Sequence, residues 1–185
     1  MLHLQRLEHP YLHELFKAVL LYDDAQKVKD MLAREIGGKL MKEWELCRKY
    51  QEITPTPEKE RYRKAADVIW ILKRQEREDL GVRRVIHEVK TGNCDVDDIV
   101  RSYKDLHFCS FSDGVGDSWK DECSHDYAGT TNTPIYIWSW KKHQILPEDY
   151  ETKKLIMRGA VRLLPLDWLL PILKEGMSEI FGWTN

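Results

Sequence analysis

An acidic and a basic residue lie two positions apart at the end of a strand-like segment, RRVIHEVKTGN (83–93). Charged side chains on a core strand are costly unless they have partners. Because successive strand residues face opposite sides, Glu88 and Lys90 share one face and His87 lies on the other. An acid beside a base, just before a Thr-Gly turn, indicates a site that solvent can reach. A histidine in a strand is more typically structural, so we assign His87 no catalytic role.

A second acid, Asp67, stands at the start of the preceding apolar run, 21 residues before Glu88. A hairpin between the two segments would bring the two carboxylates together. With the backbone carbonyl of Val89 they would form an all-oxygen site, which suits Mg²⁺ or Mn²⁺ better than zinc. Lys90 beside this site would position or help to deprotonate a water, or stabilise charge on a phosphate. These residues predict a Mg²⁺ site and no small-molecule cofactor.

The segments around these residues must hold them in place, and their hydrophobic periodicity predicts the elements. Apolar residues at helical spacing predict that the N-terminal part, 1–50, is helical. The runs ADVIWILKR (66–74) and VRRVIHEV (82–89) predict two strands, paired antiparallel. A helix capped by Asp95 follows, and TPIYIWSWKK (133–142) predicts a further strand.

Two further segments complete the predicted fold. Residues 107–133 are rich in Ser, Asp and Gly and predict a long loop, and C-terminal helices are predicted over about 149–181. Helices, two strands, a helix, a strand and more helices fit an α/β (α+β) domain with one central mixed β-sheet flanked by helices. The length suits a single domain over 1–185.

These residues and their order resemble a known family. Asp67 before VIWIL, with EVK (88–90) after RRVIH, is similar to the signature of the PD-(D/E)XK nuclease superfamily. The resemblance is to its restriction-endonuclease-like branch, which includes archaeal Holliday-junction resolvases and nucleases of archaeal viruses, and it spans about residues 25–142. The family core is a helix bearing a glutamate, an antiparallel pair carrying the Asp and the ExK, a helix and a further strand. The resemblance implies that Asp67 and Glu88 bind Mg²⁺ and that Lys90 serves the attacking water.

A further residue of the family signature, a helix glutamate, has candidates in this chain, and at two positions the chain departs from the family pattern. The helix glutamate, a further catalytic candidate, maps best onto Glu35, with Glu43 and Glu45 as competitors. Ala66 stands where the family often has proline, and Ile99 stands where RecB-like nucleases have glutamine. The resemblance therefore implies a metal-dependent DNA endonuclease, similar to the junction-cutting branch rather than to RecB-like enzymes.

Charge is divided unevenly along a chain whose net charge is only −2. Residues 39–90 hold 14 Lys/Arg against 10 Asp/Glu, whereas residues 91–151 hold 5 against 12. Such asymmetry permits a phosphate-facing side on a small domain, although a solvated face explains it equally well. The candidate phosphate contacts are the basic residues Arg61, Arg63, Lys64, Arg83, Arg84, Lys141 and Lys142.

Several alternatives stay open at the level of sequence. The chain is either an active nuclease, a nuclease-like module that only binds nucleic acid or another partner, or an interaction domain in which Glu88 and Lys90 form an ordinary surface pair. Cys123 and His125 lack two further ligands at plausible spacing for a zinc site. DNA is the expected partner of an active enzyme, with a homodimer to meet two strands. The N-terminus lacks the unbroken apolar segment of a signal peptide and no run is long enough for a membrane span, so an intracellular protein with no membrane partner is expected.

Overall fold

The computed structural model of the chain describes residues 9–51, 66–74, 82–103, 107–108, 126–127, 129 and 133–181. The helices in these ranges are α1 (His9–Leu21), α2 (Ala25–Glu35), α3 (Lys39–Glu43), α4 (Val96–Tyr103), α5 (Tyr150–Met157) and α6 (Leu170–Phe181). The strands are β1 (Trp44–Gln51), β2 (Val68–Arg74), β3 (Val82–Lys90), β4 (Cys94–Asp95), β5 (His107–Phe108), β6 (Asp126–Tyr127), β7 (Ile135–Ser139), β8 (Gln144–Ile145) and β9 (Val161–Pro165).

Five of these strands form one sheet in the order β1-β2-β3-β7-β9. The first three strands pair antiparallel, and β3, β7 and β9 pair parallel, so the sheet is mixed. Short parallel strands β4 and β8 continue the chain beyond the ends of β3 and β7, and β5 pairs antiparallel with β6. The predicted antiparallel pairing of β2 with β3 and the predicted central mixed sheet are confirmed.

Two apolar cores cover the two faces of this sheet, because the central strands are apolar on both sides. On one face, α1, α2 and α6 pack with a cluster that includes Phe16, Trp70 and Trp138. On the other face, α4 and α5 pack with a cluster that includes Ile86 and Ile137. The helices therefore flank the sheet in three layers, as predicted. Within the described residues, no helix is both long enough and apolar enough to cross a membrane.

The prediction that residues 1–50 are helical is wrong for their last part. The helical pattern ends with α3, and Trp44–Gln51 forms the edge strand β1 beside β2. Here strand pairing overrides the helical spacing of Leu40 and Trp44, because β2 offers backbone partners along β1, with one irregularity between Leu46 and Arg48. Trp44 still buries its side chain, in the core on the α1 and α2 side.

The prediction of helices throughout about 149–181 also needs correction. The helix α5 ends at Met157, and Val161–Pro165 forms the second edge strand, β9, parallel to β7. Gly159 ends the helix with a φ of +73°, and the Ala160 amide donates to the Leu155 carbonyl across the turn. The β-branched Val161 directly after a glycine turn is the signal in the sequence for this change of element.

Replacing Gly159 with alanine is expected to lower the free energy of unfolding by about 1 to 2 kcal/mol, because an L side chain is strained at positive φ. A Cβ at this position would also lie 3.0 Å from the Arg162 guanidinium. Urea denaturation would measure the change. Gly92→Ala is the matched control, because a Cβ at that residue would meet no atom of the described residues within 4 Å, its chain neighbours aside, and its φ is not positive. Equal stability of the two variants would contradict the assignment of strain to Gly159.

Two smaller predictions complete the comparison with the sequence. The Asp95 cap on α4 is confirmed, since its Oδ1 accepts a hydrogen bond from the Asp98 amide at 3.1 Å. In the predicted loop 107–133, the described part shows the short pair β5 and β6. Cys123 and His125, weighed as zinc ligands, lie outside the described residues.

Candidate active site

Three of the candidate site residues, Asp67, Glu88 and Lys90, lie at the edge of the sheet where the parallel strands β3 and β7 end. Lys90, the last residue of β3, pairs in register with Ser139 of β7. Val68 begins β2 opposite His87, so Asp67 enters the sheet beside Glu88 at the same edge. The carboxyl ends of parallel strands are a common location for binding sites in open α/β sheets.

The carboxylate of Asp67 is held against the backbone of β3. The Val89 amide donates to Asp67 Oδ2 at 2.8 Å. His13 Nε2 on α1 lies 3.4 Å from the same oxygen. Burial disfavours the charged form of Asp67, but the hydrogen bonds from His13 and from Val89 outweigh it and lower the pKa of this carboxyl. Asp67 is therefore ionised, and its orientation is fixed by two donors.

Glu88 lies on the opposite side of β3 from His87, as strand alternation predicts, and its side chain is 2% exposed. Lys90 Nζ lies 2.7 Å from its Oε1, and the Tyr103 hydroxyl on α4 donates to its Oε2 at 2.6 Å. Burial, followed by the negative charge of Glu88, raises the pKa of Tyr103, so this hydroxyl keeps its proton. The Glu88 carboxylate thus has a charged donor on one oxygen and a neutral donor on the other.

The ammonium group of Lys90 faces both acids. Burial alone would lower its pKa, but the charge and hydrogen bond of Glu88 and the charge of Asp67 raise it. Lys90 is therefore a cation and not a free base at neutral pH. Its side chain is 33% exposed, so the charge remains within reach of a bound anion. Of the sequence-derived roles for Lys90, stabilising charge on a phosphate fits this environment best.

The helix α1 reaches the site, which sequence reasoning did not anticipate. His13 connects Asp67 to Glu14, whose Oε1 lies 3.2 Å from His13 Nδ1 and also 3.2 Å from Lys17 Nζ. The hydrogen bond to Asp67 is the main cause that raises the pKa of His13. The run HPYLHELFK (9–17) carries these polar residues, but its periodicity alone gives no partner for them.

The predicted helix glutamate, Glu35, lies elsewhere. It is exposed at the C-terminal end of α2. Within the described residues it does not join Asp67 and Glu88 in a group of three metal-ligating side chains. Of its two competitors, Glu43 pairs with Arg74 at 3.3 Å, and Glu45 lies on the edge strand β1. The role of Glu35 as the helix glutamate stays a prediction.

The candidate phosphate contacts fall into three groups. Arg83 and Arg84 lie at the start of β3, the far end from Lys90; the Arg83 guanidinium covers the Trp44 ring at 5.4 Å, and Arg84 is buried. Lys141 and Lys142 are exposed in a 3₁₀ turn directly after β7, at the edge that holds Lys90. The first three, Arg61, Arg63 and Lys64, lie outside the described residues.

The donor set at this edge fits Mg²⁺ by its chemistry. Magnesium commonly uses one or two carboxylates and keeps several waters or substrate phosphate oxygens. Among the described residues, both contacts of Asp67 fall on Oδ2, which leaves Oδ1 as a ligand. A carboxylate has about four lone-pair positions, so Glu88 retains acceptor capacity beside Lys90 and Tyr103. The described residues contain no group of three or more His, Cys, Asp and Glu side chains that could hold a metal, so Asp67 and Glu88 are the two carboxylates considered for this role.

Tyr103→Phe is expected to lower the free energy of unfolding by about 1.5 to 3 kcal/mol, because it removes a hydrogen bond to a buried charged group. Chemical denaturation at neutral pH would measure this loss. Tyr22→Phe is the matched control, since Tyr22 is 63% exposed. A Tyr103→Phe variant as stable as the Tyr22→Phe variant would show that the hydroxyl does not hold Glu88 in solution.

Comparison of this chain with known proteins does not assign it to a family. Neither the family models, nor the curated proteins, nor the solved structures searched give a match to this chain.

Proposed function

We propose that this chain is a Mg²⁺-dependent DNA endonuclease of the PD-(D/E)XK type. The observation that carries the proposal is the meeting of Asp67, Glu88 and Lys90 at one sheet edge. The Val89 amide fixes Asp67 beside β3, and Lys90 forms an ion pair with Glu88 two residues earlier on the same face. The two carboxylates suit a divalent ion, and the partly exposed ammonium group of Lys90 suits an anionic phosphodiester.

The order of elements supports the same proposal. An antiparallel pair, β2 and β3, carries the Asp and the ExK triplet, the helix α4 follows, and β7 then pairs parallel with β3. This is the order that the resemblance implies for a restriction-endonuclease-like core. The helix α1 adds a contact to the site, because His13 Nε2 lies 3.4 Å from Asp67 Oδ2.

Each side chain has a distinct role in the proposed hydrolysis. Asp67 and Glu88 would hold the ion, with the Val89 carbonyl as the proposed third oxygen. When bound, Mg²⁺ (or Mn²⁺) supplies Lewis-acid polarisation of the scissile phosphate and lowers the pKa of a bound water. Lys90 offsets the negative charge that develops on the phosphate as the water oxygen forms its bond to phosphorus and the ester oxygen leaves. Tyr103 and His13 orient the two carboxylates.

The wider setting follows from this activity. DNA is the proposed substrate. The resemblance to the branch with Holliday-junction resolvases favours junctions and other branched DNA. Lys141 and Lys142 are the described basic residues placed to follow a backbone into the site. Two cuts in a branched substrate suit a homodimer, and intracellular DNA implies an intracellular enzyme with no membrane partner.

A second candidate function is a nuclease-like module that binds nucleic acid without cleaving it. One observation favours this alternative: both oxygens of Glu88 already have partners, Lys90 and Tyr103, in a nearly dry position. A buried ion pair of this kind can serve structure alone. The two candidates differ in whether a divalent ion reaches Glu88.

Cleavage assays separate the two candidates. The purified chain is incubated with labelled four-way junction, flap, linear duplex, single-stranded DNA and an RNA duplex, each with Mg²⁺, Mn²⁺, Ca²⁺ or chelator. The proposal expects cleavage of at least one DNA substrate with Mg²⁺ or Mn²⁺ and none with chelator. Cleavage that persists in chelator contradicts the mechanism. Binding of DNA without cleavage under any condition favours the second candidate.

A further inference from the structure

A short segment beyond β7 projects from the edge of the sheet that holds the candidate active site. Ser139 ends β7 in register with Lys90. The chain then turns through Lys141–His143 and forms β8, which pairs parallel with β4. Gln144 Nε2 donates to Ser139 Oγ at 2.9 Å, so the segment folds back close to the end of β7. Residues 144–146 therefore lie at the same end of the molecule as Glu88 and Lys90.

The tip of this segment is apolar and exposed. Leu146 is 71% exposed and Ile145 is 51% exposed. Two adjacent aliphatic side chains left in water forgo the stabilisation that burial would give them, about 1.5 to 3 kcal/mol for each fully buried side chain. These two side chains lie at the end of the molecule that holds the candidate site and are available to contact a ligand there. We call residues 145–146 the apolar tip.

The apolar tip is held rigidly from both sides. On its N-terminal side, Gln144 and the first residue of the tip, Ile145, pair with Cys94 and Asp95. After it, Asp97 Oδ2 on α4 accepts hydrogen bonds from the amides of Glu148, at 2.8 Å, and Asp149, at 3.1 Å. These two hydrogen bonds help to lower the pKa of Asp97 against the opposing effect of burial. A contact surface that is ordered before binding loses less entropy when a ligand binds.

Charge around the apolar tip indicates what it contacts. Lys141 and Lys142 are exposed between Ser139 and the tip, on the side of the candidate site. The acidic residues Glu148 and Asp149 follow the tip, and Asp149 caps the helix α5 through the Thr152 amide at 2.9 Å. A polyanion can therefore approach the tip from the lysine side. Aliphatic side chains flanked by cations are the pattern with which proteins wedge into or pack against unstacked bases.

We propose that Ile145 and Leu146 pack against exposed base faces of branched or distorted DNA, while Lys141 and Lys142 contact the neighbouring phosphates. This inference rests on the proposed function and extends it, because it gives a physical reason for preferring DNA in which bases are unstacked. A regular duplex offers its backbone to the two lysines but no open base face to the apolar tip. The tip thus contributes to selectivity, and the lysines to affinity for any DNA.

Binding measurements in Ca²⁺ or chelator test this division without cleavage. Fluorescence anisotropy compares a four-way junction with a linear duplex of the same length and base composition. The Ile145→Ala/Leu146→Ala variant should lose about tenfold affinity for the junction, the size expected when one base contact is lost, and about twofold or less for the duplex. The Lys141→Ala/Lys142→Ala variant should bind both DNAs more weakly, with a salt slope reduced by about two.

Two controls make the result specific. Met157→Ala removes an exposed aliphatic side chain at the far end of α5, where Met157 is 87% exposed, and should leave both affinities unchanged. A 2-aminopurine base at the branch point should change its fluorescence on binding wild type, and much less with the tip variant. Denaturation curves of all variants should coincide, because the substituted side chains are exposed.

The outcomes separate failure of this inference from failure of the proposed function. Equal losses on junction and duplex, unchanged affinities, or a wild type that binds no DNA overturn the role of the apolar tip. A tip variant that alters only sedimentation, from dimer to monomer, assigns the tip to a second copy of the chain and also overturns it. Junction selectivity that depends on the tip, without cleavage in Mg²⁺, retains this inference and removes the nuclease. Cleavage in Mg²⁺ whose substrate preference is the same in wild type and in the tip variant retains the nuclease and removes this inference.

Discussion

Replacing Lys90 with alanine is expected to lower Mg²⁺-dependent DNA cleavage by about 10²- to 10³-fold, the usual effect of removing one preorganised group that stabilises transition-state charge. The reason lies in the position of the ammonium group, 2.7 Å from Glu88 Oε1 and partly open to solvent. Single-turnover rates on the best substrate would measure the loss. The Lys154→Ala control removes a partly exposed lysine that pairs with Glu151 at 3.6 Å, and should leave the rate unchanged.

The Lys90→Ala variant must also be separated from simple unfolding, because it leaves a buried carboxylate without its cation. Loss of one partner from a buried pair costs about 3 to 5 kcal/mol when both charges are fully buried, and less here because Lys90 is partly exposed. Rates should therefore be divided by the folded fraction from circular dichroism. A rate per folded molecule equal to that of Lys154→Ala would remove Lys90 from the mechanism.

Binding of the ion itself gives a reading that does not depend on cleavage. If Glu88 and Asp67 hold Mg²⁺ or Mn²⁺, the ion raises the melting temperature of the wild type in a concentration-dependent way. Glu88→Gln should abolish this effect, since it removes the charge while retaining the shape and an acceptor for Tyr103. Persistence of the ion-dependent stabilisation in Glu88→Gln would place the ion elsewhere and favour the binding module.

The positions of Asp67, Glu88 and Lys90 could be predicted from the sequence, because they depend on strand alternation and on the pairing of two neighbouring strands. Strand alternation fixes Glu88 and Lys90 on one face, and the apolar pattern of the two neighbouring strands fixes their register, with Val68 opposite His87. Asp67 then lies beside Glu88 without any long-range information. Tyr103 was given no role from the sequence, because its contact with Glu88 depends on how α4 packs on that face of the sheet.

The remainder of the site depends on packing between distant segments, which no local pattern encodes. His13 reaches Asp67 only because α1 packs across the sheet face that carries Trp70. The assignment of the family glutamate to Glu35 stays a prediction, and the contact of Glu14 with His13 depends in the same way on the position of α1. The edge strands β1 and β9 were missed for a related reason. The residues of β1 continue the helical spacing of Leu40 and Trp44, and β9 follows α5 closely after a glycine turn, so neither local pattern marks the change to a strand.

The second large effect concerns stability in acid and comes from His87, on the face of β3 opposite Glu88. Its side chain is fully buried, its ring lies 4.1 Å from that of Trp70, and its Nδ1 accepts a hydrogen bond from Trp138 Nε1 at 3.0 Å. Within the described residues, Nε2 is buried without a hydrogen-bond partner. Burial lowers the pKa of His87 from 6.5 to about 3, so the imidazole is neutral in the folded chain.

This pKa difference predicts that the folded chain loses stability in acid. Between a pH of about 6.5 and about 3 the unfolded chain binds a proton at His87 that the folded chain does not. The stability that the buried neutral His87 contributes is therefore fully present above a pH of about 6.5. As the pH is lowered from there to about 3, this contribution decreases by about 1.4 kcal/mol per pH unit. His87→Phe removes that slope, and its cost near neutral pH is about 1 to 3 kcal/mol because the Trp138 indole loses its acceptor.

The stability of His87→Phe relative to wild type should consequently change sign with pH. The variant is expected to be less stable near neutral pH and more stable near pH 4, where His87 alone costs the wild type about 3 kcal/mol. Urea denaturation at half-unit pH steps would locate the crossing. Trp138→Phe provides the decisive comparison, because it removes the same hydrogen bond but keeps the imidazole, so its stability should run parallel to that of the wild type across the whole range. A constant difference between His87→Phe and wild type at every pH would mean that His87 is protonated equally in the folded and unfolded chains, and that the aromatic pocket opens to water.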